Sequence, residues 1–138
     1  MSSLNELNNL LTEFYDKMSS WELSVVKGTG YSLAQIHTLE VLGSHGAMKM
    51  KDLANRLGIT TGTLTVQIDK LVKLGLVARH FYETDRRSIL VDLTESGQQI
   101  FRQHNQLHLS LTEELTKNLD SETRYALTSI LKQINQEF

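Results

Sequence analysis

Between residues 60 and 94 the hydrophobic period of the chain changes twice, and this change constrains the fold more than any other feature. Leu64, Ile68 and Leu71 recur at helical spacing behind Thr60, whose hydroxyl can cap a helix, and Gly75 ends that helix. Residues 76–82 and 88–93 then read as two short strands joined by the polar run Glu83-Thr84-Asp85-Arg86-Arg87. Helical spacing returns behind Thr94. Upstream, residues 51–57 form a short amphipathic segment with Leu53, Ala54 and Leu57 inward, and Gly58-Ile59 supplies a turn.

Helix, turn, helix, strand, loop, strand is the order of a winged helix-turn-helix, here spanning about residues 49–94. The expected fold is therefore mainly α with a small β-hairpin wing. In such a unit the second helix enters a major groove about 12 Å wide. Thr60, Thr61, Gly62, Thr63 and Thr65 stand at or near its N-terminus, where hydroxyls and unpaired N–H groups suit phosphate oxygens. With Leu64, Ile68 and Leu71 inward, Gly62, Val66, Asp69, Lys70 and Lys73 point away. An outward glycine lowers helix stability but admits close approach of another backbone. Val66 is either an ordinary surface valine or a contact for a thymine methyl. In the expected wing, Arg86 and Arg87 can enter a narrow, electronegative minor groove, with Asp85 holding Arg87 extended.

The ends of the chain carry more apolar stripe than such a unit can cover. Leu4, Leu7, Leu11, Phe14, Met18, Trp21 and Val25 alternate spacings of 3 and 4 on one helix that Gly28 stops. Ser32 and Gln35 form a capping box for a second helix ending near Gly43 and Gly46. Ile100, His104, Leu107, Leu111 and Leu115 stripe a long helix running from Glu95 to about Asn118. Leu127, Ile130, Leu131, Ile134 and Phe138 stripe the last helix, with Asp120 or Ser121 as its cap. Either these helices bundle within one chain, or the segments at about 3–27 and 95–138 intertwine with a second copy. The second arrangement uses Leu4, Leu7, Leu11, Phe14, Leu127, Leu131, Ile134 and Phe138 as a homodimer interface within one domain of 138 residues.

Charge supports the central unit as a contact for nucleic acid. The chain carries −2 overall, but residues 49–87 hold eight Lys/Arg against four acids while the remainder holds six against twelve. That is +4 in the centre and −6 in the flanks, enough to draw phosphate to one face. With no cysteine there is no disulfide, thiolate metal site or thiol sensor. No apolar run reaches the roughly 20 residues of a membrane span. The start Met-Ser-Ser-Leu-Asn-Glu lacks the pattern of a signal peptide, so a cytoplasmic protein without membrane contact is expected. There is no G-x-S-x-G elbow and no P-loop, and Gly28-Thr29-Gly30-Tyr31 fails the dinucleotide fingerprint. An enzyme is not expected, and no catalytic residue or cofactor is assigned. A dimeric interaction module with a degenerate winged unit is the competing class; the basic centre and the two arginines argue against it.

At this point the chain resembles the MarR family of regulators over essentially its whole length. The run Asp85-Arg86-Arg87-Ser88-Ile89-Leu90-Val91-Asp92-Leu93-Thr94 fits the family pattern D-x-R-x-x-x-[VLI]-x-L-T. The stretches Leu53-Ala54 to Leu57-Gly58-Ile59 and Leu64-Thr65 through Asp69-Lys70-Leu71-Val72 to Gly75-Leu76-Val77 fit as well. The resemblance implies a homodimer, terminal helices as its interface, double-stranded DNA with a pseudo-palindromic operator as partner, and repression relieved by a ligand or signal. Val66 stands where many members carry a base-reading arginine, and the thiol-sensing branch is excluded.

Histidines mark where a signal could enter. His104 and His108 lie four apart, a spacing that presents two imidazoles to one metal. With Glu22 and His37 they form a candidate effector pocket, read as a zinc site, as the rim of an organic pocket, or as hydrogen-bonded interior groups, and no metal is assigned. His37, His104 and His108 resemble positions in a zinc-sensing branch and in one that answers to acyl chains on a carrier protein; the run from His37 to Gly43 looks closer to the second. A small-molecule, acyl or metal effector, including a zinc- or acyl-responsive co-repressed regulator, is the expectation that follows.

Overall fold

The computed structural model describes residues 3–81 and 89–138. Its elements are α1 (Leu4–Lys27), α2 (Leu33–His45), β1 (Met48–Lys49), α3 (Met50–Leu57), α4 (Thr61–Lys73), β2 (Val77–Phe81), β3 (Ile89–Leu93), α5 (Glu95–Thr116) and α6 (Ser121–Gln136). Two compact units divide within α5, one of residues 1–101 and one of residues 102–138.

In the first unit most helix boundaries follow local chemistry. The Ser3 hydroxyl accepts the Glu6 N–H at the start of α1. Ser32 and Gln35 close the expected capping box reciprocally on α2. Gly43 does not end that helix. It lies inside α2, where a Cβ would fall 2.3 Å from the Phe101 ring, and the helix runs on to a cap at Gly46 with φ +83°. Close packing against an aromatic ring, rather than turn conformation, is the reason for that glycine. Gly58 takes a left-handed φ of 69° between α3 and α4. The Thr60 hydroxyl oxygen then accepts the Thr63 N–H at 3.1 Å, capping α4 as its sequence predicts.

Among the described residues the sheet has three strands in the order β1-β3-β2, all antiparallel. The hairpin pairing of β2 with β3 matches expectation, with Val77 opposite Leu93 and Phe81 opposite Ile89. The third strand, Met48–Lys49 against Val91 and Leu90, is an addition. Two residues are too few to show a period of two, so only pairing with β3 reveals them.

A single core fills this unit. Leu39, Leu42, Met48, Leu53, Ala54, Leu64, Ile68, Leu71, Leu76, Val77, Val91 and Leu93 form it, with Ile100 and Phe101 packed on its edge. Leu64, Ile68 and Leu71 are each 0% exposed, worth roughly 1.5–3 kcal/mol apiece by apolar burial. The helix α4 depends on that burial, because its Thr, Val, Ile and Gly residues are mediocre helix formers. Buried Thr38 ties α2 to α4, donating to the Ala34 carbonyl at 2.8 Å and contacting Gln67 Oε1 at 3.3 Å.

The second unit holds the C-terminal part of α5 and, after a short turn, α6. Asp120 caps α6 by accepting the Thr123 N–H at 2.7 Å. Its side-chain and backbone hydrogen bonds with Thr123 hold its carboxyl below the usual carboxylate value. The cap is therefore at full strength at neutral pH and is lost as pH falls through that lowered value. Arg124 donates to the Thr116 carbonyl at 3.3 Å across the turn. No residue of α6 is buried: Ile130, Leu131 and Ile134 are 43–50% exposed and Phe138, just past the helix, is fully exposed.

The start of α5 is fixed by a close approach. The Thr94 N–H donates to the Leu76 carbonyl and its hydroxyl to the Gly75 carbonyl. A Cβ at Gly97 would lie 2.1 Å from that Leu76 oxygen. Gly97→Ala should therefore destabilise the fold by about 1–3 kcal/mol, read as a lower urea midpoint; an unchanged midpoint would refute the close-packing account.

Candidate nucleic-acid interface

The helix-turn-helix is assembled from α3 and α4. Leu53 and Ala54 are buried and Leu57 is half-buried, and α3 packs against both α2 and α4. With Leu64, Ile68 and Leu71 in the core, the opposite face of α4 is open. Thr61, Gly62, Thr63, Thr65, Val66, Asp69, Lys70 and Lys73 are all exposed there, in the order the helical wheel predicts. Val66 is 56% exposed at the middle of that face.

The threonines are not equivalent. Thr60 serves as the cap and also donates its hydroxyl to Thr63 Oγ1 at 3.0 Å. Thr65 donates to the Thr61 carbonyl at 2.8 Å, one turn back. Gly62 has no internal reason to be glycine: a Cβ there would meet only Thr60 Oγ1, at 3.9 Å. A residue that weakens a helix by about 1 kcal/mol relative to alanine therefore sits on the open face without any packing demand from the described residues.

Electrostatically the face is basic with one internal neutralisation. Lys70 and Lys73 are exposed. Asp69 is bound by Arg79 of β2, Nη2 to Oδ1 at 2.5 Å. Sequence reasoning placed Asp69 on the outward face but missed this partner, because only the β2 register brings Arg79 beside α4. Asp85, Arg86 and Arg87 lie outside the described residues, which end at Phe81 and resume at Ile89. Beside the turn that precedes α3, His45, Met48, Asp52, Asn55 and Arg56 line an open groove of about 400 Å³. Arg56 only donates, so at 3.3 Å the His45 Nε2 accepts from it.

Of the residues expected to receive a signal, Glu22 and His37 lie in the first unit and His104 and His108 in the second. In the first unit Glu22 has a carboxylate oxygen within 4.8 Å of one from Glu40. His37, expected beside Glu22, is exposed between buried Ile36 and Thr38. Glu40 was missed although a signal was present, since it follows core residue Ile36 by four positions and so shares its helix face. In the second unit His104 Nε2 and His108 Nε2 share a hydrogen bond at 3.2 Å, one ring donating and the other accepting, with ring centroids at 4.9 Å, and His104 is 3% exposed. Two imidazole nitrogens on a tetrahedral zinc at about 2.0–2.1 Å would stand roughly 3.3 Å apart.

The apolar stripes at the two ends are exposed within their own units. On α1, Leu4 is 82% exposed and Leu7, Leu11 and Phe14 are 49–55% exposed, joined by Leu10 and Tyr15. On α6, Leu127, Leu131 and Ile134 are 37–49% exposed. Among the described residues no helix is long and apolar enough to cross a membrane.

Comparison with known proteins agrees with this geometry. The sequence profile of the MarR family matches residues 31–89. The multiple antibiotic resistance protein MarR of Escherichia coli (strain K12) is 31% identical over 132 residues, spanning 95% of this chain and 90% of that protein. The HTH-type transcriptional regulator YfiV of Bacillus subtilis (strain 168) is 36% identical over 103 residues, spanning 72% of this chain and 64% of YfiV, so the match covers slightly less than two thirds of that relative. Streptococcus pneumoniae FabT, solved in complex with DNA, superposes with a TM-score of 0.84 at 24% identity over 97% of this chain and 96% of that one, which establishes the fold. Apo MarR from E. coli superposes with a TM-score of 0.67 at 30% identity, covering 97% and 98% of the two chains. The relatives are transcriptional regulators rather than enzymes, and this chain belongs to the MarR family.

Proposed function

We propose that this chain is a homodimeric repressor that binds a pseudo-palindromic operator and releases it in response to a signal. The observation that carries the reading is the open face of α4, where an unneeded glycine, exposed Val66 and two lysines project from a helix seated by a fully buried stripe. Lys70 and Lys73 serve phosphates, Thr61 and Thr63 serve the phosphate backbone near the helix start, and Val66 meets a thymine methyl. Arg86 and Arg87 serve the minor groove.

A homodimer accounts for the exposed stripes. Leu4, Leu7, Leu11 and Phe14 of α1 and Leu127, Leu131, Ile134 and Phe138 at the other end supply the apolar area that an obligate interface of about 2,000 Å² requires. Two copies of α4 then read two half-sites one helical turn apart.

The histidine pair favours a divalent transition metal as the signal. Nε2 atoms 3.2 Å apart on adjacent turns already have nearly the spacing that one zinc ion imposes. With no cysteine in the chain, any metal would be held by nitrogen and oxygen donors alone. A pocket for an acyl or other organic effector is the second reading, and it applies if metal fails to bind.

Three measurements test these statements. Arg87→Ala should weaken binding to a selected operator by about 1–3 kcal/mol, and Lys70→Ala should weaken binding to all duplexes and lower the salt slope by about one; wild-type values in both would refute the assignment. Leu127→Glu with Leu131→Glu should shift sedimentation from the mass of two chains to that of one, and a dimer that survives would refute the interface. Zinc should bind wild-type protein stoichiometrically and change operator affinity, with His108→Ala weakening zinc at least tenfold; absence of saturable binding would refute the metal.

A further inference from the structure

We propose that Asp69 and Arg79 form a selectivity latch, in which Asp69 holds Arg79 away from the phosphates of DNA that is not the operator. The inference rests on the DNA-binding reading above and adds a role for two residues that it leaves unused.

The placement is specific. Asp69 lies on the open face of α4, one turn from Val66 and one turn from Lys73. Arg79 comes from β2, where it stands opposite buried Val91 and shares a strand face with Val77 and Phe81. Its stem therefore starts on the core side of the sheet and its guanidinium emerges against α4, reaching Asp69 Oδ1 through Nη2. The side chains are 30% and 54% exposed for Arg79 and Asp69. An ion pair this exposed contributes little to stability, so stability does not account for it.

An acid on a surface that approaches phosphates opposes binding, and the helix would attract DNA more strongly without it. What Asp69 gains is control of Arg79. A guanidinium is the side chain best suited to grip phosphate, with five donors in a fixed fork. Unrestrained beside Lys70 and Lys73, it would add a contact available on every duplex, because phosphates carry no sequence information. Tied to Asp69, it adds none, and discrimination is left to the groups that meet base edges. The same tie joins the recognition helix to the strand that leads into residues 82–88.

The test compares wild-type protein with Asp69→Asn on two duplexes of equal length. One is recovered by selection from a random library and the other is unrelated, and both are titrated by fluorescence anisotropy across a salt series. The latch predicts that Asp69→Asn tightens the unrelated duplex about three- to tenfold and steepens its salt slope by about one, the value of one added phosphate contact. The selected duplex should change less than threefold, so the specificity ratio falls. Adding Arg79→Gln to Asp69→Asn should restore the wild-type slope, which a purely structural role would not do. Asp69→Ser provides the same comparison should the asparagine variant melt below wild type. An unchanged slope in a folded variant overturns the latch, as does loss of the selected duplex alone, which would make Asp69 a base contact. A wild-type protein that binds neither duplex would instead remove the DNA-binding reading itself.

Discussion

Burial of one helix stripe governs the rest of the molecule. Leu64, Ile68 and Leu71 are wholly enclosed by the core, and this enclosure makes a helix from a segment whose residues favour one only weakly. It also fixes which side of α4 faces outward, since rotation about the axis would expose the stripe. Every residue assigned to DNA on this helix takes its position from that constraint. Thr38 adds a polar tie to Gln67.

The surface that results is basic by placement rather than by composition. The chain as a whole is weakly acidic, yet the exposed side of α4 carries two lysines and an acid that is already paired. Proteins that must find one site among many need attraction strong enough to bring DNA close and weak enough to leave discrimination to base contacts. Neutralising one cation inside the face is a direct way to set that balance.

Much of the fold is legible in the residues themselves. Caps at Ser32, Thr60 and Thr94, the turn at Gly58 and the stripes of α1, α4, α5 and α6 act through neighbours within four positions, so local spacing reveals them. Features that depend on distant partners are not legible this way. The strand at Met48–Lys49 exists only through β3. Gly43 looks like a terminator until Phe101 is seen against it, and Gly97 looks unremarkable until Leu76 is. Among the candidate signal residues, the His104–His108 spacing could be read from the helix period, whereas the approach of Glu40 to Glu22 needs two helices to be packed.

The sequence alone determined the winged helix-turn-helix, the outward face of its second helix and the surplus of apolar stripe at both ends, because hydrophobic period and capping chemistry are local properties. Tertiary structure decided what distant residues meet: that Asp69 is occupied by Arg79, that Met48 and Lys49 pair with β3, and that Phe101 crowds Gly43 while Leu76 crowds Gly97. Such pairings depend on strand register, helix packing and side-chain rotamers, which are settled only when the chain has closed on itself.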